Sequence, residues 1–198
     1  MKILVVGAAG TVGQGVVTEL ARDHDIISAG RTSGDLQVDL TRDESVEALF
    51  RAVGAVDAVI AATGNVHFGD LRAMTPAQFT LGLNDKLMGQ VRLVLIGQHY
   101  VNAGGSFTLT SGILAQQPIA QGVSAMAVNR ALEGFVEAAA NELPRQRINA
   151  VSPTVLTEAL EHYGPYFPGF ESAAASRVAL AYRRSVQGIQ SGQVYRVW

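Results

Sequence analysis

Short apolar runs alternate with longer segments of helical spacing along the whole chain. The short runs are apolar at consecutive positions, which is typical of strands covered on both faces of a sheet. They predict strands at residues 2–7, 25–30, 35–40, 56–63, 106–112, 147–153 and 192–198. Between them, apolar residues recur at three- and four-residue intervals. This spacing predicts helices at residues 12–23, 43–54, 75–104, 120–143 and 171–187.

Turn-forming and capping residues stand at the ends of these helical segments. Asp43 is placed to cap one helix and Gly54 to end it. The longest segment opens with Thr75 as its N-cap and Pro76 in its first turn, and it ends at Gly104. No repeat, linker or low-complexity stretch interrupts the alternation.

The alternation of strands and helices predicts the fold class. Residues 1–198 are expected to form a single α/β domain of Rossmann type, with about seven strands in one doubly wound parallel sheet and helices on both faces. Ligands of such sheets bind beyond the carboxyl ends of the strands, where the strand order reverses. We therefore expect the loops that begin at Gly7, Gly30, Thr63, Ser111 and Pro153 to share one rim.

Composition narrows the functional classes. A net charge of −2 offers no basic surface for nucleic acid or anionic membranes. The absence of cysteine excludes disulfides, thiolate nucleophiles and zinc–sulfur sites. Because the first apolar run is broken at once by glycines, it predicts neither a membrane span nor a secretion signal. The expected location is the cytoplasm and the expected partner is a small molecule.

The loop after the first strand has glycines at positions that suit a phosphate site. Gly7 permits a tight turn, Gly10 lets the backbone approach a diphosphate, and Gly13 lets the helix pack close to the strand. The N–H groups of the first helical turn, at Thr11 and Val12, then face the anion. The alternative is a simple turn between a strand and a helix. The position at the first strand–helix junction favours a dinucleotide site.

The end of the second strand indicates which dinucleotide is bound. An NAD-selective protein usually has an acidic residue there, whereas this chain has Arg31, Thr32 and Ser33. A guanidinium binds phosphate oxygens in a bidentate manner, which favours NADP(H) and its 2′-phosphate. The alternative is that Arg31 is an ordinary solvated surface residue.

Several motifs together resemble the short-chain dehydrogenase/reductase family from Met1 to Trp198. They are the segments AATG at 61–64, the Asp39–Leu40 pair, TLTSG ending at Gly112, RALEGFVEAAANEL at 130–143 and RINAVSPTVLTE at 147–158. The resemblance implies an NADP(H)-dependent oxidoreductase. It also implies further cofactor contacts from Asp39, Leu40, Ala62, Thr63, Gly64, Pro153 and Val155. The glycine spacing G-x-x-G-x-x-G is that of extended and atypical branches of the family.

The catalytic pair of that family is missing. The family donates a proton from a Tyr that is followed four residues later by a Lys, and the matching positions here are Ala125 and Asn129. None of the five tyrosines has a Lys four residues on. Lys86 stands where the family has an Asn in the preceding long helix, so the two side-chain types are exchanged between the facing helices.

Ser111, Lys86 and Asn129 are the predicted catalytic residues. Ser111 matches the family's Ser at the end of the fifth strand, although it could instead cap the following turn. Lys2 lies at the amino end of the sheet, so Lys86 is the only lysine available to the site. One interpretation of Lys86 is a surface lysine. The other places its ammonium near Ser111 and Asn129, where desolvation would lower its pKa.

Six further side chains are weaker candidates. His67 follows the fourth strand and is either a titrating group or a loop residue. Tyr163 and Tyr166 lie in the loop that closes over substrates in the resembled family, and either could replace the missing acid or simply pack in a lid. Glu158, Glu161 and His162 have helical spacing, but no metal site is predicted.

Two functions remain open from the sequence. The first is an NADP(H)-dependent oxidoreductase that acts on a small carbonyl or related substrate with a non-standard proton donor. The alternative is a catalytically inactive NADP(H)-binding sensor or regulatory protein. A homodimer or homotetramer through the two long helices is expected from the resemblance. The residues at 154–170 that would shape the substrate pocket match no decodable pattern.

Overall fold

A single parallel sheet of seven strands forms the centre of the molecule. The computed structural model describes all residues from Met1 to Trp198. The strands lie in the order β3-β2-β1-β4-β5-β6-β7, which is the predicted doubly wound arrangement. Their bounds are β1 Lys2–Val6, β2 Asp25–Gly30, β3 Leu36–Gln37, β4 Val56–Ala61, β5 Val101–Thr110, β6 Arg147–Pro153 and β7 Val194–Val197.

Seven α-helices connect and cover the strands. They are α1 Thr11–Leu20, α2 Asp43–Val53, α3 Pro76–Gly82, α4 Met88–Gly97, α5 Val123–Ala139, α6 Leu160–Tyr163 and α7 Ala175–Gln187. One turn of π-helix, Leu83–Leu87, joins α3 to α4, and short 3₁₀ turns lie at Ile113–Ala115, Thr157–Ala159 and Gly164–Tyr166. None of these helices has the length and the apolar character needed to cross a membrane.

The sheet separates two apolar cores. Alternate residues of a strand point to opposite faces, so Leu4 and Val6 of β1 enter one core, while Ile3 and Val5 enter the other. The first core is closed by α2, α4 and α5, and the second by α1 and α7. Burial on both faces explains why the strands are apolar at consecutive positions.

The third strand and the long helix differ from the prediction. Strand β3 pairs at two residues only, Leu36 and Gln37, rather than over residues 35–40. The helical segment predicted at 75–104 passes through the π-turn and ends at Gly97. Val101 instead pairs with Val56 and extends β5 to ten residues, because sheet pairing there buries an apolar side chain that a helix would leave exposed.

Two predicted helix ends show the expected local chemistry, but the prediction that Asp43 caps α2 is wrong. Asp43 lies in the first turn, where its carboxylate pairs with Arg92, and the residue at the cap position is Arg42. Thr75 and Gln78 form a reciprocal capping box with Pro76 in the first turn of α3, and Gly54 ends α2 with a φ of 70°. Helix α7 begins at Ala175, later than predicted, because both carboxylate oxygens of Glu158 accept the Ala175 N–H. The Glu158 carboxylate, whose helical spacing from Glu161 and His162 could have suggested a metal ligand, therefore caps α7 instead.

Candidate active site

The carboxyl ends of β1, β4, β5 and β6 surround one cavity of about 500 Å³. It lies where β1 and β4 are neighbours, which is the point at which the strand order reverses. Loops that follow four different strands therefore converge on it. The predicted residues that line it are Gly7, Gly10, Thr11, Val12, Ala62, Thr63, Gly64, Lys86, Ser111, Asn129, Pro153 and Val155.

The glycine turn after β1 leaves a cradle that side chains would fill. Gly7 has a φ of +85°, and a Cβ there would lie 2.5 Å from the Ala62 carbonyl oxygen. A Cβ on Gly13 would lie 2.1 Å from the Gly7 carbonyl oxygen, so Gly13 lies against the turn rather than on the cavity wall. Gly10 precedes α1 without a side-chain cap. The first-turn N–H groups are therefore free for an anion, and a diphosphate fits this turn.

A second, smaller cavity of about 220 Å³ continues from the same turn toward the end of β2. Of the residues predicted to bind the adenosine end of the cofactor, Arg31, Ser33 and Leu40 line it. Thr32 and Asp39 do not line it. The Asp39 carboxylate accepts bonds from the N–H and hydroxyl of Thr41, which hold it in a neighbouring shallow groove.

Arg31 is paired across this smaller cavity. Its Nη2 lies 3.1 Å from Oδ2 of Asp85, a residue of the π-turn. Asp85 also accepts the Asn65 backbone N–H at 2.9 Å and the Asn65 side-chain amide at 3.2 Å. From the sequence, Asp85 is a possible salt-bridge partner of its neighbour Lys86, but the structure pairs it with Arg31 and Asn65 instead.

Lys86 points into the larger cavity, away from Asp85. Its Nζ donates to Asn129 Oδ1 at 2.7 Å and to the Ser111 carbonyl oxygen at 3.0 Å. The lysine stem crosses directly over Gly64, which has a φ of +125°, and a Cβ there would lie 2.4 Å from Lys86 Cγ. Burial lowers the pKa of Lys86 to about 8, because the ammonium loses its hydration.

Ser111 faces a carboxylate that sequence analysis missed. Its hydroxyl donates to Glu133 Oε1 at 2.9 Å, and the Gln116 side-chain amide donates to the other oxygen of Glu133. Glu133 lies one helical turn after Asn129 on α5 and is only 5% exposed. A glutamate between Leu132 and Val136 on the apolar stripe of α5 was the available signal, since carboxylates are rarely buried without a partner.

Gln90 fixes the rim on which Ser111 lies. Its side-chain amide donates to the carbonyl oxygens of Thr63 and Thr110, and its Oε1 accepts the Thr110 N–H at 2.8 Å. The fully buried side chain therefore holds the ends of β4 and β5 at a set separation. Sequence analysis missed this residue too, because a lone glutamine in an apolar helix has no distinctive spacing.

The wall of the cavity on the side of Ala125 is apolar. Ala125 packs with Ile113 and Leu114, and Val66, Phe68 and Phe167 lie against them. Lys86 is the only charged side chain that lines the cavity. A small molecule with an apolar portion is therefore complementary to this wall.

Tyr163 is the only tyrosine that lines the cavity. Tyr166 instead lines a groove beside Pro118 and Phe170, and Phe68 packs against both tyrosine rings. Tyr182 is buried and bonded to Thr110 on the opposite face of the sheet, where burial raises its pKa. His67 does not line the cavity, and no cluster of three metal-ligating side chains is present.

Comparisons with known proteins agree with this geometry. A family model described as enoyl-(acyl carrier protein) reductase matches residues 4–195. The protein lin1944 from Listeria innocua is 45% identical over 100% of both chains, with a TM-score of 0.99. A small-chain dehydrogenase in complex with NADPH is 27% identical over 100% of this chain and 96% of that chain, with a TM-score of 0.89. No match was found among curated proteins.

Proposed function

The chain belongs to the short-chain dehydrogenase/reductase family of oxidoreductases, and we propose that it reduces a small carbonyl or related substrate with NADP(H). The observation that carries the proposal is the position of Lys86. Its ammonium lies at the cavity wall, where it donates hydrogen bonds to the Ser111 carbonyl oxygen and to Asn129. Lys86 thus takes over the task of the missing tyrosine.

The backbone turn and the rim residues hold the cofactor. Thr11 and Val12 offer N–H groups to the diphosphate, Gly10 allows its close approach because it has no side chain, and Arg31 with Ser33 faces the 2′-phosphate. Ala62, Thr63, Gly64, Pro153 and Val155 line the part of the cavity that leads to Lys86. When bound, NADPH supplies the hydride. The 27% identical dehydrogenase in complex with NADPH supports this choice of cofactor.

Lys86 moves the proton. As an ammonium it donates a proton to the substrate oxygen, and it regains one from solvent after the product leaves. Two of its donor positions are used by Asn129 and the Ser111 carbonyl oxygen, which leaves the third for the substrate. With a pKa of about 8, the charged form prevails at neutral pH and still releases its proton readily.

Ser111 has a different task from the serine of its relatives. Its hydroxyl proton is committed to Glu133, so its lone pairs face the cavity. A carbonyl substrate has no hydrogen to donate to these lone pairs, so Ser111 accepts a hydrogen bond only from the hydroxyl of the alcohol product, while Lys86 donates the hydrogen bond to the substrate oxygen. Asn129 positions the lysine, because its Oδ1 accepts a hydrogen bond from Lys86 Nζ at 2.7 Å.

Cofactor binding is tested first, by following NADPH and NADH fluorescence during titration. A panel of carbonyl and imine substrates is then screened for NADPH consumption. Lys86→Met is expected to lower kcat about 10²- to 10⁴-fold while the NADPH affinity changes little, because a general acid acts on the chemical step. Lys2→Met is the matched control, since Lys2 lies at the amino end of β1 and is the only other lysine.

Each alternative has its own outcome. Undiminished turnover in Lys86→Met would remove this residue from the mechanism. NADPH binding without turnover across the whole panel would favour a sensor or regulatory protein, a role in keeping with Ala125 at the tyrosine position. No binding of either nucleotide would exclude both functions.

A further inference from the structure

Asp85 sits in the smaller cavity as the counter-ion of the arginine that faces the 2′-phosphate. Arg31 and Asp85 are the only charged side chains that line this cavity. Their side chains differ in freedom, since Arg31 is 60% exposed and Asp85 is 17% exposed. The carboxylate is thus the more buried partner and the guanidinium the more exposed one.

Asp85 is fixed by bonds that do not involve Arg31. The Asn65 backbone N–H and side-chain amide both donate to its carboxylate, which ties the π-turn to the loop after β4. The position of Asp85 on the π-turn also sends its side chain to the smaller cavity while Lys86 enters the larger one. The carboxylate therefore stays in the cavity whether or not Arg31 is bound to it.

We propose that Asp85 reduces the preference for NADP(H) over NAD(H) by competing with the 2′-phosphate for Arg31. The Nη2 atom that now lies 3.1 Å from Asp85 is one of the donors that a bidentate phosphate contact requires. A 2′-phosphate must draw the guanidinium away from the carboxylate, and it also approaches a like charge. Asp85 therefore weakens NADP(H) binding and leaves NAD(H) binding unchanged. The difference between the two affinities is then smaller than Arg31 alone would create.

This inference rests on the nucleotide site proposed above, and a binding measurement separates the two. The dissociation constants of NADPH and NADH are measured by fluorescence titration for the wild-type protein and for Asp85→Asn. The variant is expected to bind NADPH about three- to tenfold more tightly, with NADH affinity unchanged. Asp70→Asn is the matched control, because Asp70 pairs with Arg72 in a loop away from both cavities.

A double mutant tests whether Asp85 acts through Arg31. If Asp85 acts by holding Arg31, the gain in NADPH affinity disappears when Asp85→Asn is combined with Arg31→Ala. A gain of the same size in both backgrounds would overturn the competition for Arg31. Thermal unfolding verifies that each variant is folded, and Asp85→Ser removes the same charge with a shorter side chain if the asparagine variant is unstable.

The remaining outcomes are also decisive. Weaker NADPH binding by Asp85→Asn would mean that Asp85 orients Arg31 for the phosphate, which is the opposite of the proposal. An unchanged ratio of NADPH to NADH affinity would overturn the proposal as well, with the nucleotide site intact. Failure of the wild-type protein to bind either nucleotide would instead overturn the site itself.

Discussion

At the scale of single residues, the proposed site depends on a buried lysine that contacts an asparagine of a facing helix. Lys86 comes from the π-turn and Asn129 from α5, and their side chains meet at 2.7 Å. A buried ammonium is stable only when hydrogen bonds replace its hydration. Asn129 and the Ser111 carbonyl oxygen supply two of them. Gly64 contributes by having no side chain where the lysine stem crosses.

The lowered pKa of Lys86 gives a prediction for pH dependence. The unfolded chain holds this proton more tightly than the native protein, so stability rises with pH between about 8 and the ordinary lysine value of 10.5. Across this pH range, the free energy of unfolding of the wild-type protein should rise by up to about 3 kcal/mol relative to that of Lys86→Met. Urea unfolding at a series of pH values measures the difference.

Direct titration provides the control for that prediction. The chain has two lysines, so NMR spectra of the lysine ε-CH₂ groups contain two signals. The signal that disappears in Lys86→Met should titrate near pH 8. Titration of that signal above pH 10 would contradict the burial of the ammonium.

At the scale of elements, α5 places two polar side chains at the rim, because residues four positions apart lie on the same face of a helix. Asn129 and Glu133 lie on successive turns of the inner face of α5. That face is anchored in the core by Val128, Leu132 and Val136. Gln90 performs the corresponding task on α4 by holding the ends of β4 and β5. The rim is thus positioned by helices that are themselves packed against the sheet.

Removal of the Glu133 carboxylate should destabilise the protein. Glu133→Ala leaves the Ser111 hydroxyl and the Gln116 amide without their partner in a buried place, which costs about 2–3 kcal/mol in the free energy of unfolding. Glu137→Ala, one turn further and exposed on the same helix, should change it by less than about 0.5 kcal/mol. Equal effects of the two variants in urea unfolding would show that the Glu133 bonds are not made.

At the scale of the whole molecule, the two layers of helices leave some apolar surface exposed. Leu95 on α4 is 51% exposed, and Gly134 on α5 has open space where a side chain would stand. We propose that these two long helices form the contact of a homodimer or homotetramer. Small residues such as Gly134 let helices approach closely.

An oligomer of this kind is tested by its mass in solution. Light scattering should give a mass two or four times that of one chain, and Leu95→Arg should shift it toward the monomer, because a charge in an apolar contact is costly. Leu180→Arg on α7 is the control, since Leu180 is 55% exposed on a different face. A monomeric wild-type protein would contradict the proposal.

The amino-acid sequence by itself determined the fold class, the doubly wound strand pattern and the glycine turn. These features follow from local rules: consecutive apolar residues in strands, helical spacing between them, and glycine where no side chain fits. The parallel topology also placed Ser111 at the rim, since the carboxyl ends of parallel strands meet there. That Lys86 and Asn129 join it was implied by the family resemblance.

Only the tertiary structure decided which side chains complete that rim. Glu133 behind Ser111, Gln90 between two strand ends and Asp85 beside Arg31 all bond to residues at least 20 positions away in the chain. The end of α4 and the start of α7 were likewise set by distant partners, Val56 and Glu158. Spacing along a sequence reports neighbours within an element, whereas these contacts arise when separate elements pack together.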